Sequence, residues 1–128
     1  SHRAIIPDEL SRPEDLLRAV VRVLDSKKAR GLKVMRVADK TVIADYFVMC
    51  TGTSNTQLRA LSGELEERLS EVGVYPGHIE GYNEANWIIM DYASVIVHIF
   101  DRETRSFYNL EKLWGDAEEI DVDSLLAD

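Results

Sequence analysis

A chain of 128 residues, 45% hydrophobic and 30% charged, is large enough for one globular domain with its own core. Its formal net charge of -8 argues against direct nucleic-acid binding, which needs clustered lysine and arginine, and suits a basic protein partner. The single cysteine excludes an internal disulfide, and the apolar runs are too short for a helix of ~20 residues across a membrane. Because no signal peptide is visible either, we expect a cytoplasmic protein.

The first predicted element is an amphipathic helix, which follows residues 1–10, a segment without periodicity that we expect to be loosely ordered. Ser11 and Glu14 form a capping-box pattern with Pro13 in the first turn, and Gly31 is the predicted end. The apolar side recurs at helical spacing and comprises Leu16, Leu17, Val20, Val21 and Leu24.

Two strands and a second helix follow. Residues 32–37 and 45–50 have strand-like apolar patterns. The turn at residues 51–53 leads into Ser54 and Gln57, a capping box that begins the helix. The apolar stripe of this helix comprises Leu58, Leu61, Leu65, Leu69 and Val72. A strand, a turn and a capped helix form a unit that packs a helix on a sheet.

The strongest strand signals are two short, β-branched apolar runs, residues 87–90 and 95–100. Because few residues separate them, we predict an antiparallel hairpin with Ala93 and Ser94 as a two-residue turn. In this register Asp91 lies opposite Ile96, Ile89 opposite His98, and Trp87 opposite Phe100. Ala-Ser suits a primed turn poorly, so a longer turn with a shifted register is the alternative.

Side chains alternate across a strand, so the predicted hairpin has two different faces. One face is almost entirely apolar and is predicted to be core: Ile88, Met90, Tyr92, Val95, Val97 and Ile99. The other face combines aromatic rings with an acid and an imidazole, and we predict that it is functional: Trp87, Ile89, Asp91, Ile96, His98 and Phe100.

The rest of the chain has weaker patterns. Residues 78–81 form a short edge strand or an ordered loop, residues 102–107 a turn or short helix, and residues 108–114 a last short helix. The acidic residues 118–128 are predicted to be a C-terminal tail, either mobile or folded as a short packed helix. The expected architecture is one domain over residues 11–117 with an α/β (α+β) fold, in which helices pack on a mixed sheet.

The sequence offers little catalytic chemistry. The turn at residues 51–54 could bind an anion, but it lacks the glycines and lysine of a P-loop, so a helix cap explains it better. For His98 we favour an interface role over two alternatives, a buried hydrogen-bonded residue and a catalytic base oriented by Asp91. No nucleophile or carboxylate cluster is placed beside them, and Cys50 is predicted to be a buried thiol. We therefore expect no catalytic residue, metal or cofactor.

Large aromatic side chains are the best candidates for a partner surface, because Trp and Tyr contribute a large share of interface energy. We predict that Trp87 and Trp114 are exposed anchors, with core packing as an equally supported alternative for Trp114. The predicted partner-binding residues are Trp87, Asp91, His98, Tyr108, Leu110 and Trp114.

Three separated motifs resemble the ribosomal silencing factor (Iojap-related) family. They are EG at 80–81 with WIIMDYxxVIVHIF at 87–100, ADYFV at 44–48 with TGTSNxQ at 51–57, and RxFYxLExLWxDA at 105–117. Together they cover roughly residues 16–117 in the family's order and spacing. This chain departs from the pattern at Ala93-Ser94, where the family usually has Gly-Asp.

The resemblance implies an α/β fold related to nucleotidyltransferases and a role without catalysis. Members of the family bind protein number fourteen of the large ribosomal subunit on the intersubunit face, which sterically prevents joining of the small subunit and represses translation. The expected partner is therefore the large subunit, through a basic ribosomal protein. A small nucleotidyltransferase-like enzyme and a homodimeric scaffold without a ribosomal role are the alternatives.

Overall fold

A computed structural model describes Leu10 and residues 12–127, and shows a six-stranded mixed sheet with helices packed on it. The elements in chain order are α1 (Pro13–Ser26), β1 (Arg30–Arg36), β2 (Tyr46–Thr51), α2 (Asn55–Ser70), β3 (His78–Glu80), β4 (Trp87–Asp91), β5 (Val95–Phe100), α3 (Arg102–Tyr108), α4 (Leu110–Leu113), β6 (Glu118–Ile120) and α5 (Val122–Leu126). The strand order is β3-β4-β5-β2-β1-β6. Only the central pair, β2 and β5, is parallel. The mixed α/β (α+β) architecture is thus confirmed.

One face of the sheet carries the main core, under α1 and α2. The predicted leucine stripe of α2 is buried there, whereas Val72 lies beyond the helix end and is exposed. The apolar hairpin face is buried in the same core, as predicted: Ile88, Met90, Tyr92, Val95, Val97 and Ile99. Helices α1 and α2 therefore bury the side of the hairpin that alternation assigned to the core.

The ends of α1 differ from the prediction. Arg12 is the N-cap and makes no side-chain capping bond, while the predicted cap Ser11 and the segment 1–9 lie outside the described residues. The helix ends at Ser26, five residues before the predicted end. Lys28, with φ of 65°, and Gly31, with φ of 59°, are both left-handed, and Gly31 already belongs to β1. Strand β1 begins earlier than predicted because its first residue already pairs with β2.

Of the two alternatives for the C-terminal segment, the short packed helix is the one that the structure shows, and an unpredicted strand precedes it. Strand β6 pairs antiparallel with β1, with Val34 opposite Ile120. Helix α5 packs on α1, where Leu125 is buried. Arg22 of α1 donates from Nε to the Leu125 carbonyl at 3.2 Å. This acidic segment, which lies beyond the predicted domain boundary at residue 117, therefore completes both the sheet edge and the main core.

No helix in the described part of the chain is long and apolar enough to cross a membrane.

Candidate functional site

The hairpin formed by β4 and β5 has the predicted register. Trp87 lies opposite Phe100, Ile89 opposite His98, and Asp91 opposite Ile96. The turn between the strands has two residues, and Ala93 adopts a left-handed φ of 69°. Glycine takes such a conformation at little cost, whereas the Cβ of alanine makes it less favourable. Asp91 supports the turn, since its Oδ1 accepts a hydrogen bond from the Ala93 N–H at 2.8 Å.

The sequence suggested that the second hairpin face is free to meet a partner. In the structure this face instead carries a smaller core. Phe47, Met49, Ile96 and Phe100 are buried on this side of the sheet. After α3 the chain reverses at Asn109, which has a left-handed φ of 49°, and returns across the strands. Leu110 and Trp114 then pack on this face, and the Trp114 ring meets the Phe47 ring edge-on at 5.1 Å. The segment α3–α4 therefore covers the centre of the face that was predicted to be exposed.

His98 lies inside this smaller core, with 6% of its surface exposed. Its Nδ1 accepts a hydrogen bond from the Trp87 indole N–H at 3.2 Å, and its ring stacks on Phe100 with centroids 6.0 Å apart. Burial lowers the pKa of His98 to about 4, so the imidazole is neutral near pH 7. The favoured interface role for an exposed His98 is corrected: of the three alternatives, the buried hydrogen-bonded residue is the one the structure shows.

Trp87 is half-buried rather than a free anchor. Its ring stacks on Phe100 with centroids 5.0 Å apart and contacts Tyr108 at 4.8 Å. The indole N–H is used by His98, so the outer part of Trp87 presents only carbon and π surface. Truncating Trp87 would therefore reduce stability as well as remove an exposed surface.

The remaining predicted partner-binding residues divide into two groups. Tyr108 is 54% exposed at the end of α3. Leu110 and Trp114 are half-buried and hold α4 on the sheet, and Asp91 lies at the hairpin turn. Of the predicted set, Trp87 and Tyr108 are thus the pair of aromatic residues that reach solvent and also contact each other.

Two exposed apolar residues of α3 and α4 were not among the predicted partner-binding residues. Phe107 and Leu113 are 81% and 73% exposed on α3 and α4. Together with Tyr108 they form what we call the α3–α4 ridge. The available signal was the third family-like motif, in which Phe107 and Leu113 stand beside the selected residues. Neither α3 nor α4 contains a fully buried residue, so burial periodicity within these short helices could not separate core from surface.

A surface cleft of about 490 Å³ lies between the start of β4 and α3. The residues that line it are Asn86, Trp87, Glu103, Thr104, Phe107 and Tyr108. The cleft joins the ridge to Trp87, so the exposed aromatic residues form one wall of a cleft whose other lining residues are polar.

The other candidate chemistry is accounted for by local structure. Ser54 Oγ accepts from the Gln57 N–H at 3.0 Å, and Gln57 Oε1 in turn accepts from the Thr53 N–H, so the turn is a helix cap. Cys50 is buried, and this burial raises the pKa of its thiol to about 12. Within Leu10 and residues 12–127, no three His, Cys, Asp or Glu side chains are grouped as metal ligands would be.

Comparisons with known proteins agree with the fold and with the motifs. The family model described as "Ribosomal silencing factor during starvation" matches residues 10–128. A protein of Halalkalibacterium halodurans called ribosomal silencing factor RsfS is 36% identical over 114 residues, which is 89% of this chain and 97% of that protein.

Two solved structures have the same architecture. A Chromobacterium violaceum protein superposes with a TM-score of 0.79 at 26% identity, covering 81% of this chain and 87% of its own. A Bacillus halodurans protein superposes with a TM-score of 0.76 at 33% identity, covering 84% of this chain and 98% of its own. Because the family model matches nearly the whole chain, including the hairpin and the α3–α4 segment, the chain belongs to the ribosomal silencing factor family.

Proposed function

We propose that this protein represses translation in the cytoplasm by binding the large ribosomal subunit. In this proposal it contacts a basic ribosomal protein, number fourteen, on the intersubunit face, and its bulk then blocks joining of the small subunit. No bond is made or broken. Membership of the silencing-factor family supports the general role, and the surface of the hairpin and α3–α4 supports the site.

The observation that carries this proposal is the α3–α4 ridge. Phe107, Tyr108 and Leu113 are large apolar side chains that are more than half exposed, all on one segment of twelve residues from 102 to 113. The Phe107 and Tyr108 rings contact each other with centroids 5.0 Å apart, and contiguous exposed apolar surface marks interaction sites. The acidic chain, with net charge -8, complements a basic partner.

The residues predicted from the sequence take different parts in the proposed surface. Trp87 and Tyr108 contact the partner directly, together with Phe107 and Leu113. His98, Leu110 and Trp114 act from below, because they hold the rings and α4 in place. Asp91 lies at the hairpin turn, at the margin of this surface.

The test compares two tyrosines of similar exposure. Tyr108 and Tyr75 are 54% and 68% exposed, but Tyr75 lies in the loop before β3, away from the ridge. Tyr108→Ala should weaken binding to purified large subunits at least about tenfold, whereas Tyr75→Ala should have little effect. Binding is measured by co-sedimentation, and subunit joining by the yield of whole ribosomes in a sucrose gradient.

Two results would contradict the proposal. The first is unchanged inhibition of subunit joining by Tyr108→Ala, which would place the interface elsewhere. The second is a wild-type protein that sediments as a dimer at two concentrations and never with large subunits, which would favour the homodimeric scaffold.

A further inference from the structure

The cleft between β4 and α3 has a composition that suits a particular type of side chain. Its wall is aromatic: the Trp87 and Tyr108 rings lie 4.8 Å apart with a 44° tilt, and Phe107 stands edge-on to Tyr108 at 5.0 Å. Because the Trp87 N–H donates inward to His98, the indole offers the cleft its π surface and no donor. Aromatic faces attract cations, and arginine most often.

The polar side of the cleft offers acceptors. Glu103 is exposed on the first turn of α3 and forms no ion pair with any residue that the structure describes. Asn86 and Thr104 add an amide and a hydroxyl, both able to accept hydrogen bonds. The neighbouring cation Arg102 shares adjacent clefts with Glu103 but does not line this one. Glu103 is therefore the charged residue that this cleft presents beside its aromatic wall.

We propose that this cleft receives an arginine side chain of the protein partner, with the guanidinium against the aromatic wall and its charge paired with Glu103. A guanidinium is planar, weakly hydrated and rich in donors, so it can stack on a ring and bind a carboxylate at the same time. The inference deepens the proposed function, because it assigns the chemistry of the partner at the same surface.

The direct test uses three blocked pentapeptides, Gly-Gly-Xaa-Gly-Gly, in which Xaa is arginine, citrulline or leucine. Citrulline keeps the shape of arginine but has no charge. Titrations of the full chain are followed by the NMR shifts of the Trp87 indole and the Phe107 amide. The arginine peptide should bind at least about fivefold more tightly than the citrulline peptide. Equal binding of these two, or tighter binding of the leucine peptide, would overturn the proposal in favour of an uncharged or apolar occupant.

Two variants locate the effect in the cleft. Glu103→Gln should weaken binding of the arginine peptide about fivefold and leave binding of the citrulline peptide unchanged, because the substitution removes the carboxylate only. Phe107→Leu keeps an apolar side chain but removes a ring, and should also weaken the arginine peptide. Both residues are exposed, so the fold should tolerate both changes. Unchanged arginine binding in both variants would place the peptide outside this cleft and overturn the assignment.

The same variants are then tested on large subunits. Glu67→Gln is the matched control, since Glu67 is also exposed and its loss changes the net charge equally, but it lies on α2. Glu103→Gln should weaken subunit binding about fivefold more than Glu67→Gln. Equal effects would overturn the role of the cleft in the interface. If the wild type binds no large subunits, the proposed function fails, whereas the peptide titrations still decide whether the cleft binds arginine.

Discussion

His98 shows how one buried residue organises the second face of the sheet. With Nδ1 accepting from Trp87, the proton of the neutral ring is on Nε2, which has no hydrogen-bond partner within the described residues. The ring is enclosed by aromatic groups, among them Phe47, whose ring centroid lies 5.2 Å away. A second proton would have to displace the Trp87 bond and would be charged in an apolar setting, so the fold favours the neutral form.

We predict that this preference makes stability depend on pH. Burial lowers the pKa of His98 from 6.5 to about 4, so the unfolded state takes up a proton first as the pH falls. The stabilising contribution of the neutral His98 is complete above the pKa that this residue has in the unfolded state. It is lost as the pH falls from 6.5 towards 4. Between about pH 7 and about pH 5 the free energy of unfolding should decrease by about 2 kcal/mol from this residue. Urea unfolding across this range measures it.

Two glutamine variants isolate the contribution of His98. His98→Gln should be less stable near pH 7, yet lose less stability on acidification than the wild type. His78→Gln removes an exposed histidine on β3 and should retain the wild-type pH dependence. The interpretation fails if His98→Gln and the wild type lose stability in parallel.

At the scale of elements, the α3–α4 segment is held by contacts with the sheet rather than by helix stability, since helices of seven and four residues are marginal alone. Arg105 provides the main polar attachment. Its Nη1 donates to the Gly31 carbonyl and to Thr51 Oγ1, both at 2.8 Å, and its Nε donates to Glu111 at 3.1 Å. A Cβ on Gly31 would lie 2.8 Å from that Nη1, so glycine allows this approach. The ridge is therefore tied to β1 and β2.

The C-terminal helix α5 is a second element whose importance comes from packing. Leu125 is 7% exposed between α1 and the sheet edge. We predict that Leu125→Ala lowers the free energy of unfolding by about 2–3 kcal/mol, because a buried leucine loses its contacts and leaves a cavity. Urea unfolding measures this change.

Leu113→Ala is the control for this prediction. The same substitution on the exposed ridge should cost less than about 0.5 kcal/mol, since the side chain is already in water. If Leu125→Ala were equally mild, α5 would contribute little and residues 118–128 would behave as the tail that the sequence suggested.

At the scale of the whole molecule, the two faces of one sheet have separate tasks. The face under α1, α2 and α5 carries the larger core, while the other face carries a smaller core whose cover is also the proposed binding surface. Binding residues are thus supported by an aromatic layer that is packed against the strands. Such support fixes the orientation of Trp87 and Tyr108 before any partner arrives, which reduces the ordering cost of association.

The net charge of -8 should also affect how quickly the protein meets a basic partner. We predict that the association rate constant with large subunits falls as ionic strength rises, because salt screens attraction between exposed charges. Reversing two remote exposed charges, Glu66→Lys with Glu67→Lys, should slow association at low salt by roughly two- to tenfold without touching the ridge. Stopped-flow measurements at several salt concentrations test this prediction. An association rate constant that depends neither on salt nor on the two substitutions would exclude electrostatic steering.

The amino-acid sequence by itself determined the elements that depend on local patterns. The β-branched runs at 87–90 and 95–100 determined the hairpin register, even with Ala93 in an unfavoured turn conformation, because a shift by one residue would have exposed the core face. The Ser54–Gln57 cap and the leucine stripe of α2 followed from spacing in the same way. Local hydrogen bonds and side-chain alternation need no knowledge of distant segments.

Only the tertiary structure decided which side of the hairpin is exposed and where the functional surface lies. Burial of His98 and half-burial of Trp87 depend on α4, which returns over the strands after Asn109. The sequence predicted a short helix there but not the face of the sheet on which it packs. The place of β6 depends in the same way on β1, more than eighty residues earlier in the chain. Local sequence patterns do not show such long-range packing. In the sequence, a side chain that faces water or a partner looks the same as one that a distant segment covers.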